Sequence, residues 1–367
     1  MAEAIDLTVE YGDVRTEEQL DWPKLVAYLR EHKLPGAEAP LEVKQFRGGS
    51  SNLTYLLRFG EREWREWVIR RPPFGPLPVG GHDMAREFRV LSRIWEAFKP
   101  APRAVLFSDD TSIIGAPFFV MERREGIVFK NRQPVPAELG DDPATFKAIS
   151  EGFIDTLADL HGVDYEKVGL GGLGKPDGFV KRQITGWMER WHRAKTEEVP
   201  LMDRLGAWYL EHMPAPLKPV ILHNDFYLHN IMLDRKNPGQ INGVFDWEMS
   251  TLGDPMIDLG IALGYWRERT DVEIAQLSEI EPHTFKNGFL SRAAMLERYA
   301  KRTGRDVSSF PFYLSWAMWK NATVVQQIYV RYVRGQTSDP RFAQLGPHPP
   351  ALAQGAARYA AQLGFHN

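Results

Sequence analysis

The chain has 367 residues, 43% of them hydrophobic and 25% charged, with a formal net charge of −3 and no cysteine. That balance is globular, and the length favours two domains over a single core. The weak charge excludes the basic footprint of a nucleic-acid or anionic-membrane binder, and the missing thiols exclude disulfides, thiolate catalysis and Cys-ligated zinc. A reducing cytoplasm is the expected location. The acidic start MAEAIDLTVEYGDV lacks the apolar stretch of a signal peptide, and no apolar run approaches the length of a membrane span.

Residues 21–33 predict a short helix, with Asp21 as N-cap and Pro23 in the first turn. Val43–Arg47 and Leu53–Phe59 read as two strands joined by the small-residue turn Gly48-Gly49-Ser50-Ser51-Asn52. A third strand, Trp64–Arg70, stops at Pro72-Pro73, and PPFGPLPVGG reads as a loop. Helical spacing returns over 83–98, followed by strands over 104–107 and 117–121. From there the pattern is mainly helical: 145–161, two segments within 176–213, and a long one from about 311 to 334. Three short strands interrupt it, over 220–223, 231–233 and 241–245, the last two as a hairpin. The expected fold class is α+β, with a small antiparallel β-rich lobe carrying one inserted helix over 1–122 and a large, mostly helical lobe over 123–367.

The densest chemistry lies between residues 223 and 258. His223-Asn224-Asp225 is followed by Asn230, and Asp246 comes sixteen residues later behind an apolar strand. Phosphotransferases of the kinase fold place a catalytic base, a metal-binding amide and a metal-binding carboxylate in this order. Asp225 could take a proton from a substrate hydroxyl, and Asn230 and Asp246 could hold Mg²⁺ on nucleotide phosphates through hard oxygens. His223 reads as a brace for the loop backbone. Gly253-Asp254-Pro255 reads as a loop ending in an N-cap, with Asp258 complementing the helix dipole.

Upstream, Gly48, Gly49, Ser50, Ser51 and Asn52 could cradle phosphates through backbone N–H groups, or form an ordinary hairpin turn. Arg70 closes the third strand and Glu87 lies on the next helix, as a phosphate-binding cation and its acidic partner would; a surface ion pair is the alternative. His223, Asp225, His229 and Asp246 could instead ligate the metal of a hydrolase. That reading leaves the Gly-Ser turn, Arg70 and Glu87 without a role.

The motifs F-R-G-G-S-S-N-L-T-Y, V-I-R-R-P-P, R-E-F-R-V-L, F-V-M-E-R, L-A-D-L-H, H-N-D-F-Y-L-H-N and F-D-W-E-M-S-T-L-G-D-P-M-I-D-L span residues 46–265. They resemble the aminoglycoside phosphotransferase/choline kinase family, which has a protein-kinase-like fold, and most of all its branch also found fused to acyl-CoA dehydrogenases. The resemblance implies a nucleotide-binding N-terminal lobe and a catalytic, acceptor-binding C-terminal lobe. It implies ATP or GTP as phosphoryl donor, Mg²⁺, Asp225 as base, and Asn230 and Asp246 as metal ligands. Arg70 would touch the nucleotide phosphates, Glu87 would orient it, and main-chain groups at Val120, Met121 and Glu122 would take the adenine. The acceptor would be a small-molecule hydroxyl of aminoglycoside-like, choline-like or hydroxyacyl type. A nucleotide-binding protein without turnover is the second class. The sequence departs from this branch at Tyr227, where arginine is common; either His229 or a cation on the substrate side replaces it, or the rate is modest.

Overall fold

Alternating burial organises the first third of the chain. The computed structural model describes residues 10–47, 52–75, 82–131, 133–275, 281–337 and 340–366. The chain divides into two units, Met1–Gly126 with Asn242–Ser250, and Ile127–Ile241 with Thr251–Asn367.

In the first unit β1 (Tyr11–Gly12), β2 (Leu41–Phe46), β3 (Leu53–Phe59), β4 (Arg65–Arg71), β5 (Ala104–Ser108) and β6 (Phe118–Glu122) form an antiparallel sheet, ordered β1-β2-β3-β4-β6-β5. The five expected strands are present. β1 is an addition, a short edge in which Tyr11 pairs with Phe46. The helices of this unit are α1 (Trp22–Glu31), α2 (Met84–Ile94) and α3 (Thr111–Ile114). Asp21 caps α1 by accepting the Lys24 N–H at 3.0 Å, the role its position predicts. Tyr55, Leu57, Phe59, Trp67, Ile69, Phe118 and Val120 build a core on one sheet face, closed by Leu25, Leu29, Ile113 and Ile114. Because strand side chains alternate, Arg70 lies on the other face with Val68. Its ion pair with Glu87 shows that this face meets α2. α2 ends at Ile94, earlier than its spacing predicts, and the Phe98 N–H turns back to the Ile94 carbonyl at 2.8 Å.

The second unit is mainly helical. Its elements are β7 (Ile127–Val128), α4 (Pro143–Leu160), α5 (Phe179–Ala194), α6 (Pro200–Glu211), β8 (Val220–Leu222) and β9 (Ile231–Leu233). β10 (Ile241–Val244) leads out of it, and Asn242–Ser250 belong to the first unit. Then come β11 (Thr251–Gly253), α7 (Pro255–Tyr265), α8 (Val272–Ala275), α9 (Arg292–Thr303), α10 (Phe310–Val333) and α11 (His348–Ala361). β8 pairs antiparallel with β11, setting Leu222 opposite Thr251. Asp254 caps α7 through the Met256 N–H, with Pro255 in the first turn, as read from the sequence. Among the described residues no helix is long and apolar enough to cross a membrane.

α7 and α10 pack closely because α7 carries glycine at the contact. A Cβ on Gly260 would lie 2.6 Å from the Tyr313 carbonyl oxygen, and one on Gly264 would lie 3.2 Å from the Ala317 Cβ. Alanine in a helix gains about 1 kcal/mol over glycine, while overpacking against rigid backbone costs about 1–3 kcal/mol. Gly260→Ala is therefore expected to destabilise the protein and Gly264→Ala to be near neutral. Denaturant unfolding of both variants checks this; equal stability of Gly260→Ala and the parent protein would contradict the close helix approach.

Candidate functional site

The loop after β8 is held from beneath. Asp258, one turn into α7 and fully buried, accepts the His223 N–H at 2.6 Å and the Asn224 N–H at 2.7 Å. Its carboxylate also faces His161 Nε2 at 3.3 Å, and His161 Nδ1 lies 2.7 Å from the Tyr299 hydroxyl. Burial pushes the Asp258 carboxyl up, but the His161 hydrogen bond, the His161 and His223 rings and the donated N–H outweigh it and hold it below its usual range. So the turn is tied to an ionised acceptor at a helix N-terminus. Asn224 sits at φ +65°, a left-handed conformation that asparagine tolerates better than most residues. That turn presents Asp225. Its own N–H donates to His223 Nδ1 at 3.3 Å, so His223 braces the loop.

Asp225 and Asn230 meet directly. Asn230 Nδ2 donates to the Asp225 carbonyl and to Asp225 Oδ2, both at 2.9 Å. A short 3₁₀ turn, Leu228–Asn230, brings them together. With its amide hydrogens turned to Asp225, Asn230 directs its carbonyl oxygen elsewhere, as a hard ligand for a cation would be directed.

Tyr227 belongs to an aromatic wall in the same unit. Its ring lies 4.9 Å from that of Tyr265 and 5.2 Å from that of His229, which in turn lies 5.4 Å from His283. Burial, then His283, lowers the His229 pKa to about 4. That shift favours the neutral imidazole near neutral pH. Burial, then the Asp225 charge, raises the Tyr265 pKa, so Tyr265 stays a neutral phenol beside the loop.

The first unit holds a second cluster. Arg70 Nη2 donates to Asp246 Oδ1 at 2.6 Å, and Arg70 Nε lies 3.2 Å from Glu87 Oε2. Glu87 is 1% exposed and its other oxygen accepts the Trp247 N–H at 3.3 Å. Asp246 has φ +68°, an uncommon conformation for a non-glycine residue. Asn52 Nδ2 donates to Glu248 Oε2 at 3.1 Å, and Asn52 Oδ1 lies 2.7 Å from His82 Nδ1. Three carboxylates, Glu87, Asp246 and Glu248, therefore surround one guanidinium. Val120, Met121 and Glu122 end β6, where Glu122 bonds to Arg103 through its N–H and Oε1. Gly48, Gly49, Ser50 and Ser51 lie outside the described residues.

Some participants were not singled out from the sequence. Glu248 is two residues from Asp246 and lies within the quoted D-W-E run, a signal that could have found it. The sequence reads Asp258 only as a complement to the helix dipole. His161 does end α4, and both stand under the Asp225 loop.

The family described as "Phosphotransferase enzyme family" matches residues 42–289. "Acyl-CoA dehydrogenase family member 11" of Rattus norvegicus is 32% identical over 342 residues, covering 91% of this chain but 42% of that protein. "Probable acyl-CoA dehydrogenase IBR3" of Arabidopsis thaliana is 28% identical, covering 89% and 41%. The chain thus spans less than half the length of these relatives. A solved structure from Ralstonia eutropha, whose name offers aminoglycoside phosphotransferase as an assignment only, is 31% identical with a TM-score of 0.78, covering 94% of this chain and 99% of that one. Choline kinase from Cryptosporidium parvum is 12% identical with a TM-score of 0.60, covering 94% and 96%, a likeness of fold.

Burial raises the Glu87 pKa from the ordinary 4.5 to about 7, against the pull of Arg70. The folded state then holds a proton that the unfolded state has lost between these two values. Stability should fall as pH rises from about 4.5 to about 7, and this contribution should level off above that. Glu87→Gln should remove that slope. Unfolding measured across this window in both proteins checks it, and identical slopes would exclude Glu87 as the titrating group.

Proposed function

The chain belongs to the phosphotransferase enzyme family, and from that premise we propose that it transfers the γ-phosphoryl group of ATP to a hydroxyl of a small molecule. Asp225 accepts the hydroxyl proton as the acceptor oxygen bonds to the γ-phosphorus. The bond from that phosphorus to the β–γ bridging oxygen breaks, leaving ADP. The contact between Asp225 and Asn230 carries this reading, because it fixes the base and turns an amide oxygen away from it. We assign Asn230 and Asp246 as ligands for Mg²⁺, which when bound would neutralise phosphate charge. Arg70, held by Glu87, is assigned to the nucleotide phosphates, and the end of β6 at Val120–Glu122 to the adenine.

The relatives suggest several acceptor classes. One solved phosphotransferase of this fold was obtained with AMP-PNP and hygromycin B, and another is a choline kinase. The long relatives are named acyl-CoA dehydrogenases, which brings a hydroxyacyl compound into consideration. The hydrolase alternative leaves the pairing of Arg70 with Glu87 and Asp246 without a role.

Ligand that binds only the native state raises its melting temperature. ATP should stabilise this protein with Mg²⁺ and far less without it, and Asp246→Ala should abolish the metal-dependent part. Equal stabilisation with and without Mg²⁺, or none, would overturn the assignment of Asp246.

A further inference from the structure

His82 stands before the cap of α2 with φ +60°, in the left-handed region. Glycine adopts that conformation without strain, whereas a residue with a Cβ is strained there. Starting the helix does not explain the choice, because Asp83 is the cap and accepts the Arg86 N–H at 2.9 Å. What histidine adds over glycine is its ring. Strained backbone that a fold retains concentrates at functional positions.

The ring is turned inward and its contacts fix its tautomer. The His82 side chain is 14% exposed, and its Nδ1 lies 2.7 Å from Asn52 Oδ1. Asn52 is buried and donates through Nδ2 to Glu248 Oε2 at 3.1 Å. A carboxylate oxygen only accepts, so the amide turns its NH₂ toward Glu248 and its oxygen toward the imidazole. His82 Nδ1 is then the donor, and Nε2 has no partner among the described residues. Glu248 Oε2 lies 3.9 Å from His82 Nδ1, too far for a second bond, so the histidine reaches Glu248 through Asn52.

These contacts join parts of the first unit that are distant in the chain. The His82 carbonyl accepts the Met84 N–H at 3.0 Å, which fixes it to α2, the helix that carries the Arg70 partner Glu87. Asn52 stands at the start of β3, and Glu248 lies in the turn Trp247–Met249 that follows Asp246. Asp246 is itself left-handed, at φ +68°, so the direction of its carboxylate depends on how that turn is held. We propose that His82 is a positioning residue for the metal–nucleotide complex: its Nδ1–H orients the Asn52 amide, which holds Glu248 and with it the turn that presents Asp246. The proposal rests on the phosphotransferase reading above and adds a residue which that reading does not use. His82 acts through Asn52, because groups that bind a ligand are precise only when their own partners fix them.

The test uses the full chain and measures the Kd for Mg²⁺–ATP and for adenosine alongside the Tm. His82→Asn keeps an N–H where Nδ1 stands and tolerates a left-handed backbone. His82→Gly suits the backbone but lacks the donor, and His82→Ala lacks both advantages. His82→Gly should raise the Kd for Mg²⁺–ATP about 3–10-fold, the size of one lost hydrogen bond, with the Kd for adenosine unchanged. Its Tm should stay within about 2 °C of wild type, since relief of the backbone offsets the lost bond. His82→Asn should keep the wild-type affinity, and His82→Ala should match His82→Gly in affinity with a lower Tm. An unchanged Kd for Mg²⁺–ATP in His82→Gly would overturn the proposal. So would a loss in His82→Asn as large as in His82→Gly, which would make the rest of the ring the active part. Parallel weakening of adenosine and Mg²⁺–ATP would reduce His82 to a structural residue and overturn it too. A wild type that binds no Mg²⁺–ATP overturns the phosphotransferase reading together with this inference, whereas equal binding by wild type and His82→Gly overturns this inference alone.

Discussion

Asp258 is fully buried, ionised, and takes the N–H groups of two successive residues, His223 and Asn224. An ionised acceptor of two backbone donors is among the stronger polar contacts a protein makes. It forces the left-handed turn at Asn224 and so fixes the direction in which Asp225 leaves the chain. The side of Asp258 away from the loop is secured as well, through His161 to Tyr299 of α9. Four parts of the second unit, the end of α4, the loop after β8, the first turn of α7 and α9, thus meet at one carboxylate. Removing it would leave two buried donors unsatisfied and a turn without its constraint.

The first unit solves a different electrostatic problem. One guanidinium, Arg70, stands among Glu87, Asp246 and Glu248. Burial keeps Glu87 partly protonated near neutral pH, which limits the repulsion among the acids. Asp246 is held in a left-handed conformation against Arg70, a strained geometry of the kind that concentrates at functional positions.

Much of this was legible in the chain. Apolar runs bounded by turn residues marked β3, β4 and β6, and capping residues marked α1 and α7, because those signals are local. Asp225 and Asn230 stand out in the chain by their order and spacing, and the structure adds that a short turn lets them touch. What stayed hidden depends on distant partners. Asp258 reaches a loop thirty-five residues away, and only the fold shows that its carboxylate is an acceptor and not a dipole complement. Lys320 sits in an apolar helix, where a lysine ordinarily reads as a surface residue, and its burial is decided by α5 and α7. The edge strand β1 has no apolar run of its own and exists because β2 offers it an edge.

The measurement that bears most directly on the account follows labelled phosphate. The wild-type protein and Asp225→Asn would each be incubated with ATP carrying a labelled γ-phosphoryl group, Mg²⁺ and a small-molecule extract, and the label traced by mass. The account predicts that the wild type places the label on an alcohol, as a phosphate ester, and that Asp225→Asn lowers this rate by about 10²–10⁴-fold while still binding ATP. Label released only as inorganic phosphate, or equal transfer by both proteins, would contradict it.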